Sequence, residues 1–377
     1  MKFRVLFVGG GTGGHVFPLI AVANAVKEKS LSSGVDLEIL IIGEGQLLRD
    51  ACMAGGFKFK SIFAGKIRRY FSFLNFLDIF KMPIGFIQSL WYVLLFMPNV
   101  VFAKGSYASF MPCLATKLYF IPLFIHESDS TAGLTNRIVG KLADRIFIAF
   151  KNAELEFSSS RCLLVGNPIR KELLGASHDE GLARFKLDAN RKTILILGGS
   201  QGARTINNII LQSLVMLTDR YQIIHQCGEA QFDIVKAEVD LIVKEGKDEY
   251  ADRLVNNYKL LPFFNINEMR LAYAASDIIV SRAGAANIFE IAAIGKPTIV
   301  IPITHSASNH QVLNAQEFAN FGAIVIEEDN LATHLLINQI DKLLLPENYN
   351  RISTQIKSFA MVDAADRVAD QLLLLNK

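Results

Sequence analysis

The chain has 377 residues, 51% of them hydrophobic and 20% charged, which describes a globular protein long enough for two cored domains. A net charge of +3 is too small for a general nucleic-acid binder. Its four cysteines (Cys52, Cys113, Cys162 and Cys227) lie far apart without CxxC or metal-ligand spacing, so they read as reduced, buried thiols.

Lys2–Val8 reads as a buried strand, reached directly from Met1, so no signal peptide or membrane span is expected before it. "GGGTGGHVFP" follows: a bare glycine turn, then a histidine, then a helix expected from Pro18 onward. Such a turn lets backbone N–H groups and the positive helix end meet an anionic or polar ligand closely. Gly9, Gly11 and Gly14 also satisfy the dinucleotide fingerprint. That fingerprint wants an acid closing the second strand, Leu37–Ile42, where Gly43 stands and Glu44 follows, and this counts against a nicotinamide cofactor.

Next comes "KIRRYFSFLNFLDIFK" (Lys66–Lys81), where Ser72, Asn75, Asp78 and Lys81 recur every three residues among aromatic and aliphatic side chains. Six basic residues stand against one acid between Lys58 and Lys81. Two readings stay open: an ordinary buried helix, or a face that docks on an anionic bilayer through Phe73, Phe76 and Phe80. The apolar run Ile84–Met97, bounded by Pro83 and Pro98, falls short of the ~20 residues a membrane span needs.

Strands are expected at Val100–Ala103, Leu123–His126 and Arg145–Ala149. "KGSYAS" (Lys104–Ser109) forms another glycine-serine turn at a strand end. "HESDSTAGLTN" brings His126, Glu127 and Asp129 to the next strand end, with Asn136 as a polar liner. A short strand ending in Gly-Asn-Pro within "LLVGNPIR" (Leu163–Arg170) marks a boundary. The second half repeats the pattern, with strands at Thr193–Leu197, Gln222–Gln226, Tyr258–Pro262, Asp277–Ser281, Thr298–Pro302 and Ala323–Ile326. Helices Ala203–Met216, Ala285–Ile294 and Gln311–Asn320 separate them. "ILILGGSQGARTIN" repeats the strand, glycine turn and helix of the opening.

This alternation predicts an α/β protein of two doubly wound parallel-sheet domains, whose ligands lie at the carboxyl ends of the strands and face each other across a cleft. The expected division is 1–163, 164–345, and a helical tail, 346–377, packing back on the first domain. His305 and His310 are five apart but no carboxylate cluster joins them, so no metal site is expected.

Taken together, "GGGTGGHVFP", "HESDSTAGLTN", "VGNPIR", "GGSQGA", "SRAGAANIFEIAAIGKP" and "NHQVLNA" occur in the order seen in the MurG family. The chain resembles that family of bacterial N-acetylglucosaminyltransferases over nearly its whole length. The resemblance implies a GT-B fold of two Rossmann-like domains facing a cleft, with the nucleotide sugar mainly on the second. It implies inverting transfer of N-acetylglucosamine from UDP-N-acetylglucosamine to the muramyl 4-hydroxyl of an undecaprenyl-pyrophosphoryl-MurNAc-pentapeptide, lipid I to lipid II, in peptidoglycan synthesis. It further implies no cofactor, no nucleic acid, and a peripheral place on the cytoplasmic face of the inner membrane. The expected partners are the nucleotide sugar, the polyprenyl-linked acceptor, the membrane surface and further cell-wall enzymes.

Displacing UDP develops negative charge on a diphosphate, and the acceptor hydroxyl must lose a proton, so a cradle, sugar anchors and a base are needed. By resemblance, Thr12, Gly13, Gly14, Ser200, Gln201, Gly202 and Ala285 line the donor. Ser200 touches the donor phosphate (it also suits an ordinary N-cap), Glu290 holds the ribose, Arg170 and Ile266 lie near the uracil, and Gln311 beside His310 meets the sugar. Taken alone, Glu290 reads as a solvated helix charge and Arg170 as a surface arginine. His15 has the better intrinsic pKa for the base. Asp129, where many relatives carry asparagine, is the second candidate and a donor contact, with Glu127 close enough to raise its pKa. Three other activities compete: a GT-B transferase for a different acceptor, a hydrolysing UDP-N-acetylglucosamine 2-epimerase, and a non-catalytic nucleotide-sugar-binding subunit.

Overall fold

The computed structural model describes residues 2–65, 73–199, 203–245, 248–304 and 309–376. It divides into two units, Met1–Arg170 with Met361–Lys377, and Lys171–Ala360. Runs rich in Val, Ile, Leu and Phe form the central strands of both sheets, and these are near-continuously apolar rather than alternating, as parallel strands covered on both faces require.

In the first unit the strands are β1 (Phe3–Gly10), β2 (Leu37–Glu44), β3 (Lys58–Ser61), β4 (Val100–Ala103), β5 (Leu123–Glu127), β6 (Arg145–Ile148) and β7 (Cys162–Leu164). Among the described residues they form one seven-stranded sheet in the order β3-β2-β1-β4-β5-β6-β7, every pair parallel. The order reverses between β1 and β4, which opens a crevice at their carboxyl ends. β3 escapes sequence reading because "KFKS" is a short, largely exposed edge strand with little apolar signal.

Two helices depart from expectation. The first begins at Gly13, not Pro18, and runs to Ser33, so His15 sits inside its first turn. Pro18 removes the bond it would donate to the Gly14 carbonyl, and the full burial of Val16, Leu19, Val22 and Val26 on the same helix offsets its cost. Helix Phe73–Phe96 likewise runs through Pro83, joining the end of the Lys66–Lys81 segment to the apolar run that the proline was expected to bound. A mid-helix proline costs about 3 kcal/mol, but Val93 is fully buried and Phe86, Leu90 and Phe96 pack on the sheet beside it, which offsets the loss.

The second unit holds β8 (Thr193–Leu197), β9 (Gln222–Gln226), β10 (Tyr258–Leu261), β11 (Ile278–Ser281), β12 (Thr298–Val300) and β13 (Ile324–Val325). These pair in parallel in the order β10-β9-β8-β11-β12-β13, reversing between β8 and β11. Both sheets are therefore doubly wound.

The units divide after Arg170 rather than at 163/164. The segment beyond β7 stays with the first unit because the Val165 N–H donates to Ile148 (3.0 Å) and His126 Nε2 bonds the Gly166 carbonyl (2.9 Å). The tail also divides. Helix Pro346–Ser358 belongs to the second unit, where Phe359 stacks on Phe289, Phe318 and Phe321. Only helix Ala364–Leu373 packs on helix Gly13–Ser33, with Ala365, Val368, Ala369 and Leu372 in the core of the first unit. No helix among the described residues is long and apolar enough to cross a membrane.

Candidate functional site

In the first unit, the crevice between β1 and β4 is bounded by the opening glycine turn, "KGSYAS" and the turn after β5. Thr12 is extended, exposed and N-caps helix Gly13–Ser33 without a side-chain bond, so the first N–H groups of that helix have no side-chain cap. His15 is half-buried in the first turn, and its Nδ1 lies 3.1 Å from the Lys104 carbonyl at the end of β4. A carbonyl only accepts, so Nδ1 carries the hydrogen and Nε2 keeps its lone pair. Gly105 is left-handed (φ 64°), and a Cβ there would lie 2.2 Å from Asn136 Nδ2, so only glycine lets this turn reach the neighbouring one.

The turn after β5 is organised around Glu127, which is 4% exposed. Its carboxylate accepts from the Asp129 N–H (3.0 Å), the Gly133 N–H (3.0 Å) and Asn136 Nδ2 (2.9 Å). Asn136 also donates to the His126 carbonyl at 3.1 Å. Burial pushes Glu127 up to about 7 and the Asp129 charge adds to this, against the three donors. Glu127 is thus a buried organiser of the turn, while Asp129 is half-exposed at its tip.

Lys104 stands in the chain as a single lysine after an apolar strand, yet it is wholly buried. Its ammonium reaches His126 Nδ1 (2.8 Å), Ser128 Oγ and Asn167 Oδ1 (3.2 Å). His126, bonded through Nε2 to Gly166, is held well below its ordinary pKa by burial and by Lys104. Burial pulls Lys104 down to about 7, against the charges of Glu127 and Asp129. His15 is lowered by burial first and Lys104 second, with Asp129 and the carbonyl bond opposing. The signal available in the sequence was a lysine closing the apolar run "VVFA". Arg170 is no free surface arginine, since its guanidinium lies over the Phe17 ring at 4.5 Å.

The second unit gathers another set at the carboxyl ends of β8 and β11. Ser200, Gln201 and Gly202 lie outside the described residues, as does His305; Gly199 before them is left-handed (φ 78°) with nothing within 4 Å of a built Cβ. Helix Ala285–Ile294 starts after Gly284 without a side-chain cap, leaving its first N–H groups uncapped by side chains at a positive helix end. Glu290 on that helix is 5% exposed, not a solvated charge, with the Tyr273 hydroxyl 3.5 Å away. Ile266 opens helix Ile266–Ala275 and is 40% exposed, its backbone set by the Asn265–Glu268 capping box. Gln311 Oε1 accepts from the Ile303 N–H at 3.2 Å, tying the helix start His310–Gln311 to the end of β12. Beneath the β8 turn, His225 is buried between Tyr258 Oη (2.7 Å) and Asn207 Oδ1 (3.1 Å), and Asn207 donates to Cys227 O.

Phe73 and Phe76 lie in helix Phe73–Phe96, but their side chains fall outside the described set. Phe80 is 59% exposed, and the same helix continues its face with Ile84, Ile87, Trp91 and Leu95, at spacings of four, three, four and four, all exposed. The stripe lies C-terminal to the segment singled out from sequence. Inside the proline-bounded run, core-facing and outward apolar positions cannot be told apart by composition.

Comparison with known proteins matches residues 5–148 to the glycosyltransferase family 28 N-terminal domain and residues 193–368 to the glycosyltransferase family 28 C-terminal domain. The chain is 36% identical over 376 residues to a UDP-N-acetylglucosamine--N-acetylmuramyl-(pentapeptide) pyrophosphoryl-undecaprenol N-acetylglucosamine transferase of Treponema denticola, covering 96% of this chain and 93% of that one. It is 34% identical to the protein so described in Flavobacterium psychrophilum, over 99% and 98% of the two chains. Among solved structures it is similar to that of Acinetobacter baumannii MurG, with a TM-score of 0.73 at 24% identity over 99% and 100% of the chains.

Proposed function

The chain belongs to glycosyltransferase family 28, within the UDP-N-acetylglucosamine–N-acetylmuramyl-(pentapeptide) pyrophosphoryl-undecaprenol N-acetylglucosamine transferases, and from that premise we propose how its residues carry the transfer. The fold is GT-B, and the reaction is transfer of N-acetylglucosamine to a lipid-linked muramyl pentapeptide in peptidoglycan synthesis.

His15 is the base that takes the acceptor hydroxyl's proton as the new bond forms. The observation that carries this reading is its seat on the Lys104 carbonyl, which leaves Nε2 as the acceptor on a half-exposed ring at the switch point of the sheet. Asp129 sits at the tip of the Glu127 turn, where its charge stabilises the imidazolium that forms; its carboxylate is the second reading for the base. Glu127 orients that turn and touches no substrate. Thr12, Gly13 and Gly14 offer N–H groups and a hydroxyl to a polar ligand at the helix start.

The donor is held by the second unit. Its diphosphate meets the glycine turn that contains Ser200, Gln201 and Gly202, together with the start of the helix at Ala285. Glu290 accepts from the ribose hydroxyls, Ile266 serves the uracil, and Gln311 the sugar. Leaving-group charge then falls on the start of helix Ala285–Ile294, a positive helix end fixed beforehand, which favours the transition state over the ground state.

The exposed stripe from Phe80 to Leu95 docks the protein peripherally on the membrane that carries its acceptor, at the cytoplasmic face. Incubation of the purified chain with UDP-N-acetylglucosamine and the muramyl-pentapeptide lipid tests the whole reading. Disaccharide lipid and UDP should form in equal amounts. Release of free N-acetylmannosamine, or binding without turnover, overturns it.

A further inference from the structure

Lys104 touches the first-unit site with both of its ends. Its carbonyl holds His15 Nδ1 at 3.1 Å, and its ammonium is shared among His126 Nδ1, Ser128 Oγ and Asn167 Oδ1. An ammonium has three hydrogens and no lone pair, and here three acceptors stand ready, one for each. Burying a cation away from water is costly, and a side chain of the same length without charge would fill that space free of the penalty. A filled set of donors at such a place therefore argues for a use of the charge and not for packing alone.

We propose that Lys104 is a positioning residue for proton transfer, its carbonyl orienting the His15 imidazole and its clamped ammonium holding a fixed positive charge in the same site. The proposal rests on the reading of His15 as the base. The charged groups that act on His15 are Lys104 from the end of β4 and Asp129 from the turn after β5; Glu127 lies in that same turn, and Arg170 stacks on Phe17, two residues along the helix. His126, neutral in its bond to Lys104, completes the set, and the first turn of the helix itself carries no acid. Lys104 opposes protonation of His15, while Asp129 favours it. Removing the Lys104 charge leaves Asp129 without that opposition, so the imidazole must bind its proton more tightly.

The test is an NMR titration of the His15 ring in the full chain, set beside the kcat–pH profile. In Lys104→Met the His15 midpoint moves to higher pH, and kcat at pH 6 falls by a larger factor than kcat at pH 8. Ser128→Ala, which removes one acceptor of the ammonium, moves the midpoint in the same direction by less. An unmoved or lowered midpoint in folded Lys104→Met overturns the proposal; if that variant does not fold, an unmoved midpoint in Ser128→Ala does so. Should the NMR midpoint move while the acid limb of kcat stays in place, the Lys104 coupling stands and the assignment of His15 as the base fails.

Discussion

His15 and Asp129 differ in how the chain holds them, and that difference sets what their removal costs. The imidazole has a fixed tautomer, and burial with Lys104 holds its pKa below the ordinary value. The acid limb of kcat should therefore lie below pH 6.5, and it should vanish in His15→Ala. Loss of a general base costs about 10²–10⁴ in rate, so kcat falls at least about a hundredfold while calorimetry shows unchanged UDP affinity. Asp129→Asn keeps the shape of the turn and should cost less than about tenfold. The reverse ranking would make the carboxylate the base. In the second unit, Glu290→Ala removes charge-assisted hydrogen bonds worth roughly 1.5–3 kcal/mol. UDP affinity should then fall by about one to two orders of magnitude; a folded variant that binds UDP normally would refute the ribose assignment.

At the scale of the element, helix Phe73–Phe96 has two apolar faces. One packs Phe86, Leu90, Val93 and Phe96 against the sheet, while the other leaves Ile84, Ile87, Trp91 and Leu95 in water. A helix apolar on both faces in water needs a second partner, and a lipid-linked acceptor points to the bilayer. Replacing Ile84, Ile87 and Trp91 by serine should leave melting and UDP binding unchanged. Each inserted side chain contributes about 1.5–3 kcal/mol, so binding to anionic vesicles should weaken at least about a hundredfold in a sedimentation assay. Vesicle binding unaffected by the triple change would assign the stripe to some other contact.

The whole molecule joins its two ends in the first unit. Helix Ala364–Leu373 buries Val368 and Leu372 completely against helix Gly13–Ser33, and Lys29 pairs with Asp370 at 2.6 Å on the rim. Leu372→Ala should destabilise that unit by about 2–5 kcal/mol, seen as an earlier first transition in calorimetry with the second transition in place. The second unit has a pH limit of its own. His225 is buried and neutral, pushed down to about 3, below its unfolded value of ~6.5. Between those values the unfolded chain binds the extra proton, so this contribution is complete above about pH 6.5 and is lost as pH falls. The second-unit transition should drop on acidification, by at most about 1.4 kcal/mol per pH unit from this group. A transition temperature flat from pH 7 to pH 4.5 would contradict that burial.

The doubly wound sheets and the opening glycine turn were legible in the chain, because strand and helix periods and turn glycines are local signals, and the family was legible in its motifs and their order. The sequence also marked His15, Glu127 and Asp129, each of which stands at a strand or helix end. Tertiary structure decided what local pattern does not contain. Whether Pro83 ends a helix or is absorbed within it depends on the area buried beyond it. Whether Glu290 is a surface charge or a buried one depends on what packs around its helix. Lys104 shows the limit most plainly: in the chain it is one lysine after an apolar strand. Only when β4, β5 and the Gly166–Asn167 segment come together does its ammonium find three acceptors, supplied by residues 22, 24 and 63 positions away. Side-chain chemistry is written residue by residue, but the desolvation and charge that tune it are set by neighbours distant in sequence.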